Sequence, residues 1–83
     1  MRGVSSIEEE ILAFIHRELG LPRRRCRPDE PLFTSGLLDS FAMVSLLAHA
    51  EERFGVALLD SDALLEIDTA RALAAHIHAS LAR

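Results

Sequence analysis

The residues with the most chemical promise are the pair Asp39-Ser40. They stand just after Gly36 and just ahead of a long apolar run. A serine in the first turn of a helix has its hydroxyl beside free backbone N–H groups and the positive end of the helix dipole. That setting suits a phosphate ester on the oxygen. The glycine-containing approach leaves the hydroxyl open to a modifying enzyme. Asp39 suits the N-cap, where its carboxylate accepts from a backbone N–H. On spacing alone an ordinary N-cap pair with no modification is the preferred reading.

Other reactive side chains make weaker patterns. Arg23-Arg24-Arg25-Cys26-Arg27 is the one cationic cluster. It suits a phosphate or an acidic partner, but a solvated loop whose like charges repel is the preferred reading. Cys26 among four arginines is expected to have a stabilised thiolate. One cysteine with no partner makes no mechanism and no internal disulfide, and it fits a reducing compartment. His16, His49, His76 and His78 do not form a metal set and read as single surface residues. No nucleophile–base pair and no paired carboxylates in a pocket are visible, so no enzyme is expected.

These residues need elements to hold them. Residues 6–19 read as a helix with Ile7, Ile11, Phe14, Ile15 and Leu19 at helical spacing. Ser5 with Glu8 and Ser6 with Glu9 both have capping-box spacing, and Glu8–Glu10 then fall in the first turn. Residues 20–39 show no periodicity, yet Leu21, Leu32, Phe33, Leu37 and Leu38 call for burial. A loop packing its own apolar residues, with one short helical turn, is expected. Asp39 opens a second helix over 40–54, and Gly55 closes it. A short helix follows over 60–66, and Asp68-Thr69 caps a last one over 69–81, with Leu73, Ile77 and Leu81 on one face. No segment alternates like a strand. The expected fold is all-α, a small four-helix bundle of three main helices and one short one in a single domain, 1–83.

The second helix has two apolar sides. At about 100° per residue, Met43, Leu46, Leu47, Ala50 and Phe54 make a core stripe. Phe41, Val44 and Ala48 fall on the far side, and Phe41 to Ala50 carries no formal charge. Either the long loop covers this outer stripe, or the stripe is kept for a partner. The partner reading is preferred, with Glu51, Glu52 and Arg53 as its polar end.

Composition narrows the classes of function. The chain has 83 residues, 49% hydrophobic and 27% charged, with a net charge of −4. That is one small domain, and its acidic balance argues against nucleic acid. No apolar run reaches the length of a membrane span and no signal-peptide pattern is present, so a soluble cytoplasmic protein is expected; a monomer is the separate expectation for its assembly.

Leu32-Phe33-Thr34-Ser35-Gly36-Leu37-Leu38-Asp39-Ser40-Phe41 resembles the attachment motif of the acyl carrier protein superfamily. The sequel matches too: an apolar helix ending Glu51-Glu52-Arg53-Phe54-Gly55-Val56, a short third helix, and Asp68-Thr69 opening the last. The resemblance covers nearly the whole chain. It implies a 4′-phosphopantetheine arm on Ser40, with cargo held as a thioester and Asp39 assisting modification. It implies a phosphopantetheinyl transferase, an ATP-dependent adenylating enzyme that loads cargo, and a downstream acyl- or aminoacyl-transferring enzyme as partners. Phe41, Val44, Ala48, Glu51 and Glu52 are the expected docking residues. Fatty-acid carriers have acidic residues along this helix, whereas this chain has Ala42 and Ser45 there. The run from Gly36 to Phe41 is closer to D-alanyl and stand-alone aminoacyl carriers. An aminoacyl or small-acyl carrier is therefore expected. The alternatives are a fatty-acid or polyketide type, and an unmodified interaction domain with the same fold.

Overall fold

Among the described residues, three stretches bury one side and expose the other, and each is a helix. The computed structural model describes residues 3–58 and 67–81. Helix α1 spans Val4–Glu18, α2 spans Ser40–Phe54 and α3 spans Ala70–Leu81. Among the described residues all regular structure is helical. The short helix expected over 60–66 lies outside the described residues.

Ile7, Ile11 and Ile15 recur every fourth residue of α1, and all three are buried. The helix starts earlier than the capping boxes of Ser5 and Ser6 imply. Gly3 is the N-cap, with no side-chain cap, and its carbonyl accepts from the Ile7 N–H at 3.2 Å. Val4 packs against the core and so joins the helix. Glu8, Glu9 and Glu10 consequently lie beyond the first turn. Two of them bridge helices instead. Glu10 meets Arg53 of α2 at 2.6 Å, and Glu8 meets Arg71 of α3 at 3.7 Å.

Both ends of α2 follow local chemistry. Asp39 Oδ1 accepts from the Ala42 N–H at 2.8 Å, and the Asp39 carbonyl accepts from the Met43 N–H at 2.9 Å. Gly55 adopts φ +71°, a left-handed conformation that glycine reaches without a Cβ penalty, and its N–H donates to the Glu51 carbonyl. Leu46, Leu47, Ala50 and Phe54 face the core, and Met43 is half-buried at its edge.

Thr69 caps α3, its hydroxyl accepting from the Ala72 N–H at 3.0 Å. Asp68, expected to share the cap, is used elsewhere. Leu73, Ala74 and Ile77 are buried, while Leu81 is exposed past the end of the core. Helix α1 packs chiefly on α3 and less on α2.

The stretch between α1 and α2 has a single 3-10 turn at Arg23–Arg25. It buries Leu21, Leu32 and Leu38 and half-buries Phe33 and Leu37. A connection this long is tolerated because it supplies core side chains and hangs its backbone on α3. The Arg71 N–H donates to the Pro28 carbonyl at 2.9 Å, and the Leu32 N–H donates to the Asp68 carbonyl at 2.7 Å.

Candidate functional site

Ser40 is the first residue of α2, and it is exposed. Asp39 before it is extended at φ −88°, ψ −179°, so the chain turns into the helix at the serine itself. The carboxylate of Asp39 is held by the Ala42 N–H two residues past Ser40. It therefore braces the first turn. The Ser40 hydroxyl stands at the N-terminal end of α2, where backbone N–H groups and the dipole favour an anionic substituent.

The approach to the serine is tied down at several points. Gly36 sits at φ +82° in the left-handed region, with open space around its Cβ position. A side chain there would be strained by the backbone rather than by a clash. The Gly36 N–H donates to the Phe33 carbonyl at 3.1 Å, and the Leu38 N–H donates to the Leu32 carbonyl at 2.8 Å. The Ser35 hydroxyl donates to the Pro31 carbonyl.

Asp68 is a neighbour of the approach loop that the sequence does not announce. Its Oδ1 accepts from the Phe33 N–H at 2.8 Å and the Thr34 N–H at 3.0 Å. Its Oδ2 accepts from the Thr34 hydroxyl at 2.5 Å. The Thr34 hydroxyl is the main cause that holds the Asp68 carboxyl below the usual aspartate range. Partial burial opposes it, and the backbone N–H groups of the loop reinforce it. The available signal was the doublet Asp68-Thr69: two cap-forming residues for one helix start leave one carboxylate unassigned.

The outer stripe of α2 is uncovered. Phe41 is 81% exposed and Val44 52%, and Ala48 is exposed as well. The long loop packs elsewhere and does not fold over them. The two acids at the end of the stripe differ. Glu52 is exposed, whereas Glu51 Oε2 accepts from the Leu58 N–H at 2.6 Å and clasps the chain leaving α2. Arg53 is engaged by Glu10 and lies 5.5 Å over the Phe54 ring.

Cys26 departs from expectation. Burial pushes its thiol up, and the Arg23 guanidinium opposes this with a smaller effect. Its Sγ points to the Leu21 carbonyl at 3.5 Å. Arg25 of the cationic cluster reaches Glu30 at 3.5 Å. Two histidines are not simple surface groups. His16 Nδ1 lies 2.8 Å from the Leu21 carbonyl, and His49 stacks on Phe14 with ring centroids 4.0 Å apart, joining α2 to α1. Among the described residues no group of histidine, cysteine and acidic side chains is placed to hold a metal ion. An open groove of about 450 Å³ runs beside α1 and the 3-10 turn, lined by Leu12, His16, Arg17, Arg23 and Cys26 among others. None of its lining residues belongs to α2. Among the described residues no helix is long and apolar enough to cross a membrane.

Comparison with known proteins adds one match. A family model described as phosphopantetheine attachment site matches residues 9–77. No curated protein and no solved structure matches the chain.

Proposed function

Because the chain belongs to the phosphopantetheine attachment family, whose members carry 4′-phosphopantetheine covalently, we propose that Ser40 is the attachment residue of a carrier protein. The observation that carries the reading is the exposed hydroxyl of Ser40 at the start of α2, directly after a capping Asp39. The residues fit the group. An oxygen at this position forms a phosphodiester that meets the positive end of a helix, and Ser40 is exposed. When bound, the group supplies a thiol that holds cargo as a thioester. The chain itself supplies the rest: Asp39 braces the turn, Gly36 shapes the approach, and the helices give a rigid base that raises the effective concentration of the tethered cargo.

Carriers of this family work with a phosphopantetheinyl transferase and with enzymes that load and unload them. The cargo we infer is an aminoacyl or small acyl group, activated by an ATP-dependent adenylating enzyme and passed to a downstream transferase. The uncharged stretch from Phe41 to Ala50 supports this reading over a fatty-acid type with an acidic docking helix. On this reading the protein binds and presents, and the partners catalyse.

Intact mass before and after incubation with coenzyme A and a broad-specificity phosphopantetheinyl transferase tests the site. The wild-type chain is expected to gain one phosphopantetheine and Ser40→Ala none. An exposed hydroxyl in the first turn contributes within about 0.5 kcal/mol to stability, so the variant folds. A folded wild type that gains nothing, or a Ser40→Ala chain that gains the group, overturns the assignment.

A further inference from the structure

Resting on the attachment at Ser40, we propose that Asp68 is a positioning residue for that serine: from the start of α3 it fixes the loop that presents the hydroxyl. Asp68 stands two residues ahead of α3, whose first turn is capped by the Thr69 hydroxyl. Among the described residues the hydrogen bonds of the Asp68 side chain go to the approach loop. Oδ1 takes the backbone N–H groups of Phe33 and Thr34, and Oδ2 takes the Thr34 hydroxyl. The Asp68 carbonyl takes the Leu32 N–H as well, so three consecutive loop residues are gripped by one residue.

The grip is transmitted to Ser40 by a short route. The Leu32 carbonyl accepts from the Leu38 N–H, which closes the loop on itself around Gly36. Leu32 and Leu38 are both buried, so the closed loop is seated on the core. Asp39 and Ser40 follow Leu38 directly. Thr34, Ser35 and Gly36 are exposed, and no burial of their side chains would hold them without Asp68. An unlatched loop samples other arrangements. A transferase that recognises one arrangement then binds more weakly in proportion to the fraction that remains competent.

The test is the steady-state kinetics of phosphopantetheinyl transfer from coenzyme A to the full chain, read as KM for the carrier and as kcat. It is paired with amide hydrogen exchange at Phe33 and Thr34. Asp68→Ala is expected to raise KM about tenfold, leave kcat within about twofold, and speed exchange at both amides. Thr34→Val, which removes the hydroxyl donor, is expected to raise KM about threefold. Thr34→Ser, which keeps that donor, restores it. A merely structural anchor would speed exchange and lower the melting point without changing KM, and that result overturns the proposal. Unchanged exchange in Asp68→Ala overturns it too. If Asp68→Ala does not fold, the exposed Thr34 pair decides. A wild-type chain that takes no group at all ends the attachment reading and this one together. A wild type modified normally, with KM unmoved in the variants, ends this one alone.

Discussion

A carboxylate that accepts three hydrogen bonds in the folded chain accepts them more weakly once it is protonated. Asp68 has its folded pKa below the ordinary aspartate value, chiefly because of the Thr34 hydroxyl. The unfolded chain therefore takes up the proton first as pH falls. The stabilisation is complete above the ordinary aspartate pKa of about 4 and is lost as pH drops through the lower folded value. Urea midpoints of wild type and Asp68→Asn should differ by a constant amount above about pH 5 and converge in more acidic buffer. Parallel pH profiles for the two proteins would contradict the role given to the carboxylate. At this scale Asp39 and Ser40 were legible because a helix start is encoded by adjacent residues. Asp68 was not, since its partner Phe33 is 35 positions away and no local pattern announces the pairing.

Helices were legible where their ends depend on neighbours in sequence. Asp39 and Gly55 mark α2 by a side-chain cap and a left-handed glycine, both local devices. The start of α1 was not, because Ser5 and Ser6 offered equivalent caps and packing of Val4 against the core decided between registers. The two-sided character of α2 carries a prediction. Phe41 is 81% exposed, so Phe41→Ala and Val44→Asp should leave the helical circular-dichroism signal and the melting point almost unchanged. Both should slow transfer to partner enzymes several-fold, and raised salt should alter the wild-type rate only weakly, since apolar contact dominates. Collapse of helicity in either variant would make the outer stripe core. Glu51, which clasps Leu58, belongs to the architecture of the helix end, and Glu52 is the acid free to meet a partner from the exposed side.

The molecule as a whole depends on the α1–α3 seam. Ile11 and Ile77 are essentially inaccessible. Truncation there leaves a cavity among close-packed neighbours, and Ile77→Ala should cost about 2–5 kcal/mol. Set against a total of about 5–15 kcal/mol for a domain of ordinary stability, that is a large share. The urea midpoint should fall far more than for Phe41→Ala. Comparable losses would mean that the exposed face of α2 contributes as much as the seam. The all-helical class was legible from periodicity, and so was the need to bury the leucines of the long connection. The place where that connection attaches was not, because hydrogen bonds from Leu32, Phe33, Thr34 and Arg71 link distant parts of the chain.

That long-range attachment also sets an order in time. Phe33 leaves the ribosome 35 residues ahead of Asp68. At elongation rates of about 5–20 residues per second, the gap lasts roughly 2–7 s. For most of it the nascent chain displays Ser40, itself 28 residues ahead of Asp68, on a loop whose anchor has not yet emerged. The surface that surrounds the serine is thus a post-translational object, completed only when the first turn of α3 has emerged and folded back.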